Sequence, residues 1–231
     1  MSRIGVVAAL GAEARTLGTA TARRRDNLTL LRDGTLLAVS GMGCEAAESA
    51  ARMLADAGAA SLMSWGLAGA LDPSLRAGSV VLPNEIISRD GLCCPVSPEW
   101  RARFAAAISA QRPVAGGKLL TSSRALDAVA EKAAAFRETG AVAVDMESLA
   151  VAQVAGTRNL PFIAVRVIVD TAADMLPRAV VAASRNGRVR IWPLIGGLAA
   201  APREIAPLLR LAQRYRAAIR ALAAVAEVRL A

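Results

Sequence analysis

Through the first two-thirds of the chain, short apolar runs alternate with Ala-rich amphipathic runs. Continuous or alternating apolar stretches predict strands over residues 4–9, 28–32, 35–40, 61–65, 79–82, 118–121, 141–144 and 162–169. Helical spacing predicts helices over 12–18, 45–57, 98–110, 124–138, 147–157 and 202–226. Strands alternating with helices indicate an α/β fold. Asp33-Gly34 between two apolar runs signals a hairpin. Residues 172–201 lack periodicity and read as a long loop or flap. No repeat and no linker divides the chain, so residues 1–231 are taken as a single domain ending in an Arg-rich segment, 178–231.

Composition narrows this picture. Of 231 residues, 55% are hydrophobic but only 3% aromatic, so the core must be built from Ala, Val, Leu and Ile. No uncharged run approaches the roughly 20 residues of a spanning helix. Arg3 followed by residues 4–12, with Ala12-Glu13-Ala14, imitates a short signal peptide, yet its β-branched residues read equally well as a first buried strand. Three Cys without regular spacing argue against a disulfide framework and for a reducing compartment, so a cytoplasmic location is expected. The chain has no His, which excludes His-based triads and the usual zinc sites; proton transfer falls to Asp, Glu, Cys, Lys, Tyr or water. Net charge is +9, and residues 178–231 carry ten Arg against two Glu, so a nearly neutral body bears a cationic tail.

Two Gly-rich turns and three acids carry candidate chemistry. Gly41-Met42-Gly43-Cys44-Glu45-Ala46 follows a strand and opens a helix, where free amides and the helix dipole favour an anion. It matches a loose dinucleotide pattern, but the next strand, 61–65, ends in Gly66 without the acid that a ribose diol requires. The plain alternative is a Gly turn that permits tight strand–helix packing. Gly66-Leu67-Ala68-Gly69-Ala70 reads as a second turn, and the two together predict a shelf for a sugar or phosphate. Glu13, Glu147 and Asp170 each follow a predicted strand. Singly, each reads equally as a helix cap or an Arg partner; together they can converge on one ligand.

These residues resemble the purine nucleoside phosphorylase and methylthioadenosine/S-adenosylhomocysteine nucleosidase superfamily. Four blocks over roughly residues 3–172 carry the likeness: 4–9 with Glu13; Ser40-Gly41-Met42-Gly43; 65–69 with 78–81; and Val144-Asp145-Met146-Glu147 with Pro161-Phe162 and 166–170. The resemblance implies a three-layer α/β/α sandwich around a mixed, partly barrel-like sheet, and cleavage of a nucleoside N-glycosidic bond. It implies that Asp170 protonates or hydrogen-bonds N7 of the leaving purine, which demands a pKa raised by burial. Glu147 would grip the ribose hydroxyls, Met146 would lie under the sugar, and Ser40 and Gly66 would line the same site.

The nucleophile divides the reading. Glu13 stands where the nucleosidases keep a water-activating base. Arg15, with Gly41 and Gly43, stands where phosphorylases of this superfamily bind phosphate. Ser64 and Leu67, however, occupy positions where trimeric phosphorylases have a second Arg and a phosphate-binding Ser. Ala125 and Leu126 replace the aromatic that nucleosidases stack on the purine. The blocks at 65–75 and 143–148, with the Arg-rich tail, resemble the hopanoid-associated phosphorylase branch, which implies release of adenine from adenosylhopane. Phosphorolysis, with inorganic phosphate as co-substrate and no cofactor or metal, is therefore the leading expectation, and hydrolysis the alternative. The family's habits imply a homo-oligomer. Residues 203–226, with Trp192 and its apolar neighbours, suggest peripheral docking on the inner face of an anionic membrane; the plain reading is a helix covering the sheet. A non-enzymatic membrane-surface or nucleic-acid binding module is the distant alternative, weakened by the lack of a basic body; no specific nucleic acid is expected.

Overall fold

The computed structural model describes residues 3–18, 20–23, 28–109, 112–176 and 205–227, with the main chain alone for 20–23 and 205–208. The expected flap over 172–201 therefore lies outside the described residues from 177 onward. So do Trp192 with its apolar neighbours and six of the ten tail Arg, at 178, 185, 188, 190, 203 and 229.

Twelve strands join into one mixed sheet among the described residues. In chain order they are β1 (Ile4–Ala8), β2 (Ala20–Arg23), β3 (Leu28–Leu31), β4 (Leu36–Val39), β5 (Ser61–Ala70) and β6 (Val80–Val81). There follow β7 (Glu85–Ile87), β8 (Cys93–Pro95), β9 (Val114–Ala115), β10 (Lys118–Thr121), β11 (Ala141–Asp145) and β12 (Phe162–Asp170). The helices are α1 (Gly11–Ala14), α2 (Cys44–Asp56), α3 (Pro98–Ser109), α4 (Val129–Thr139), α5 (Ser148–Thr157) and α6 (Ile205–Ala226). This is the α/β fold with a mixed sheet that the sequence predicts. Residues 4–8, which could be taken for part of a leader, form a strand whose Val6, Val7 and Ala8 are buried.

Strand β5 organises the sheet. Its first half, residues 61–65, pairs in parallel with β1, whereas Gly69 and Ala70 pair antiparallel with β11; β12 runs parallel to it from Leu62 to Gly69. A strand that changes partner midway curves the sheet, which gives the partly barrel-like form. The second turn expected at 66–70 is thus corrected: these small residues continue β5. Small side chains read as a turn from sequence, but here they let β11 and β12 pair with one strand while acids fold over it.

A core of Val, Leu, Ile and Ala, with Trp65, Trp100, Phe104 and Phe162, runs through the sheet and under α2 and α5. The chain reverses after Asp33-Gly34 as predicted, with Gly34 donating to the Leu31 carbonyl. α6 lies along β12 and against the 3-10 turn at Arg15–Leu17, burying Ala218, Leu222 and Val225. Its apolar side is therefore used for packing against the body. No described helix is long and apolar enough to cross a membrane.

Candidate active site

Glu13 and Glu147 follow β1 and β11, and Asp170 is the last residue of β12; these are the three strands that pair with β5. All three carboxylates are buried in the monomer. A carboxylate removed from water demands donors, and each finds a different set.

Glu13 is clasped by main-chain amides. Leu10 N–H donates to Oε2 at 2.9 Å, closing the first turn of α1, and Leu67 N–H of β5 donates to Oε1 at 3.0 Å. The following turn is fixed by Trp65, whose indole N–H donates to Thr16 Oγ1 at 2.9 Å. Burial raises the Glu13 carboxyl above the usual carboxylate range, against the pull of the Leu67 amide and Arg166. Gly66 is required beneath it, since a β-carbon there would stand 2.7 Å from Oε1.

Glu147 ends the passage from β11 into α5. Its Oε1 accepts Gly43 N–H at 2.8 Å and its Oε2 accepts Met146 N–H at 3.3 Å. Gly43 has φ 97°, a left-handed conformation that disfavours a side chain and aims its amide at the carboxylate. The Gly41 amide donates to the Ala9 carbonyl, and the Ser40 hydroxyl donates to the Gly41 carbonyl at 2.6 Å. In this structure the Gly41 and Gly43 amides are both engaged within the protein. Half-buried Met146 lies beside them, its carbonyl accepting Cys44 Sγ–H. Burial, with the nearby negative charge of Asp145, pushes the Glu147 carboxyl up to about 7.

Arg166, 2% exposed in the middle of β12, ties these elements together. Its Nε and Nη2 donate to Asp145 Oδ2 at 2.9 and 2.7 Å, and Nη2 also reaches Ser64 Oγ at 2.6 Å and Ser148 Oγ at 2.9 Å. Thr121 Oγ1 donates to the other Asp145 oxygen at 2.7 Å. Glu13, Ser64, Gly66, Leu67, Glu147 and Arg166 border a narrow, partly open space of about 10 Å³, enough for about one water. Two buried carboxyl groups and a guanidinium thus border the same small space.

Asp170 sits apart from that void, over Gly69 of β5, where a β-carbon would stand 3.1 Å from Oδ2. The same oxygen accepts a hydrogen bond from Lys132 Nζ, which comes from α4 and is fully buried. Burial raises the Asp170 carboxyl, and the Lys132 ammonium opposes that rise.

Of the residues singled out from sequence, Glu13, Glu147 and Gly66 line one space; the Gly43 and Met146 amides donate to Glu147; Ser40 and Gly41 bond within the turn and to the end of β1; and Arg15 is exposed on the 3-10 turn. Two buried cations escaped the sequence reading. Arg166 is the single charge between Phe162 and Val169, and a charge inside a buried strand requires a partner. Lys132 hides in an Ala-rich helix whose charges read as a solvated face. Its signal is composition: Lys occurs only at 118 and 132 in a chain whose other basic residues are all Arg. Among the described residues, no group of three or more His, Cys, Asp or Glu could hold a metal ion.

Residues 3–191 match the family model of the phosphorylase superfamily. The 5′-methylthioadenosine/S-adenosylhomocysteine nucleosidase of Staphylococcus saprophyticus is 32% identical over 129 residues, 48% of this chain. That match takes in 57% of the relative, so the chain spans little more than half of its length. Among solved structures, the Neisseria meningitidis nucleosidase of the same name, in complex with methylthio-immucillin-A, superposes with TM-score 0.74 at 19% identity, covering 99% of this chain and 98% of that one. The Helicobacter pylori nucleosidase with butyl-thio-DADMe-Immucillin-A gives 0.72 at 15%, covering 98% of each chain. A futalosine hydrolase mutant of H. pylori gives 0.66 at 16%, covering 73% of this chain and 89% of its own. At such identities these likenesses show the fold.

Proposed function

The chain belongs to the phosphorylase superfamily, and on that premise we propose that it cleaves the N-glycosidic bond of a 5′-substituted adenosine with water as nucleophile. The observation that carries this reading is the one-water space bordered by Glu13, Ser64, Arg166 and Glu147. Phosphate needs a larger cavity and unengaged donors, whereas the Gly41 and Gly43 amides are engaged within the protein. Relatives named for 5′-methylthioadenosine and S-adenosylhomocysteine support the adenosine class.

In this mechanism the C1′–N9 bond breaks with its electrons passing to the purine, and N7 takes a proton from Asp170. The ribose becomes oxocarbenium-like. Water adds to C1′ and gives its proton to Glu13, whose raised pKa makes it the better base. Glu147 accepts hydrogen bonds from the ribose hydroxyls. Arg166 orients Ser64 and balances the acids around the water.

Phosphorolysis of adenosylhopane is the second reading. Exposed Arg15, on the turn that follows Glu13, and the sequence blocks at 65–75 and 143–148 favour it. Peripheral membrane docking goes with that reading; the exposed Arg210, Arg216 and Arg220 of α6 support it. The burial of Ala218, Leu222 and Val225 supports the plainer role of a helix that covers the sheet.

The test is adenine release from methylthioadenosine and from adenosylhopane, with and without phosphate, in ¹⁸O-labelled water. Hydrolysis predicts equal rates without phosphate and label at C1′. A strict phosphate requirement with a sugar 1-phosphate product establishes phosphorolysis instead. No adenine from any purine nucleoside overturns both.

A further inference from the structure

Lys132 is the most completely buried charge of the described chain, at 0% exposure, and it reaches Asp170 from α4 across 38 residues of sequence. Its Nζ has three acceptors: Asp170 Oδ2, the Thr171 carbonyl at 2.9 Å and the Asp174 carbonyl at 2.9 Å. An ammonium has three N–H bonds and no lone pair, so this geometry is that of a charged lysine with every donor used. Among the described residues no donor reaches Asp170 Oδ1. The groups around the pair are few. Asp174, on the segment after β12, accepts from Thr171 N–H at 2.8 Å and Thr171 Oγ1 at 2.7 Å, and pairs with Arg214 of α6. Gly69 of β5 contributes no charge. The choice of Lys is itself telling. A compact ammonium with three donors fits one carboxylate oxygen and two carbonyls, where a planar guanidinium fork does not.

We propose that Lys132 is a positioning residue for Asp170, pinning Oδ2 with a buried positive charge so that Oδ1 alone meets the leaving base. This rests on the proposed glycosidic cleavage. When the Oδ1 proton passes to N7, Asp170 becomes a carboxylate, and the ammonium behind it stabilises that charge without giving up a proton of its own. Lys132 thus makes Asp170 a stronger acid than burial alone would leave it. Burial and Lys132 act on this carboxyl in opposite senses, which is what a tuned acid requires.

The experiment compares the wild type with Lys132→Met and Lys132→Gln on two substrates over a range of pH. One is methylthioadenosine. The other is a 4-nitrophenyl riboside, whose leaving group departs as an anion without a proton. Both variants should lose about 10- to 100-fold in kcat on methylthioadenosine and stay within about threefold on the nitrophenyl riboside. The alkaline fall of kcat on methylthioadenosine should move up by a pH unit or more, because a carboxyl without its cation holds its proton longer. Equal losses on both substrates, or an unmoved limb, overturn the proposal. If the wild type cleaves no nucleoside, the cleavage reading fails by itself; ¹³C titration of the Asp170 carboxyl then decides about Lys132. An upward shift in either variant supports the pairing, and an unchanged titration overturns it.

Discussion

Glu13 and Gly66 are matched as acid and gap: the carboxylate lies where a β-carbon on Gly66 would stand, 2.7 Å from Oε1 and 3.0 Å from Oε2. The carboxylate can yield only by giving up the Leu10 and Leu67 amides that hold its two oxygens. Gly66→Ala should therefore displace Glu13 and lower kcat by two orders of magnitude or more, at a cost of about 1–3 kcal/mol in stability. The check is a double mutant. In a Glu13→Ala background the added methyl has space, so Gly66→Ala should cost little further stability, as read by urea denaturation. Additive losses would refute the match.

The Arg166–Asp145 pair predicts opposite results for one and two substitutions. Both partners are buried and further engaged by Ser64, Ser148 and Thr121. Removing one leaves an uncompensated charge, so Arg166→Met or Asp145→Leu should each lose about 3–5 kcal/mol. The double replacement removes both charges and should recover at least half of that loss, while remaining inactive because the water-sized space has lost its cation. Thermal melts read the first effect and adenine release the second. A double mutant less stable than both singles would show that the polar network, not the ion pair, dominates.

How far the sequence reveals this arrangement depends on which forces leave a local trace. Strands 118–121 and 162–169 reappear as β10 and β12, and the Gly41–Gly43 turn joins β4 to α2 as expected. Their apolar runs and turn residues are local signals. β5 runs five residues past its predicted end, because pairing of Gly69 and Ala70 with β11 outweighs the turn tendency of small residues. The short strands β2, β7, β8 and β9 were not predicted; β9, only two residues long, carries too little periodicity. The three acids could be marked because each ends an apolar run. Lys132 and Arg166 leave only faint local traces, a rare Lys and a lone charge in an apolar run, since what gives them meaning is a partner on another element.

Gly43 supplies a third test. Its left-handed φ of 97° and its 2.8 Å hydrogen bond to Glu147 belong to one device. Nothing stands within 4 Å of a β-carbon placed there, so the penalty of Gly43→Ala is conformational, about 1–3 kcal/mol. Relief of that strain rotates the amide away from Oε1. If Glu147 grips the ribose hydroxyls, KM for the nucleoside should rise tenfold or more, with a smaller change in kcat. A change in kcat alone would detach the Gly turn from substrate binding.

Glu147 is held up to about 7 by burial and by Asp145, against an ordinary value of 4.5. Between those values the folded chain keeps a proton that the unfolded chain has released. Stability must then fall as pH rises, because unfolding is favoured wherever the unfolded state binds fewer protons. The contribution is fully present below about 4.5 and is lost as pH passes through about 7. Glu13 and Asp170, also raised by burial, act in the same direction. Urea denaturation at pH 5.5 and 8 should show the protein losing on the order of 2 kcal/mol from the Glu147 contribution. Glu147→Gln, which carries no titrating proton, should flatten that dependence. An equally steep loss in the Gln variant would move the origin of the effect to the other two acids.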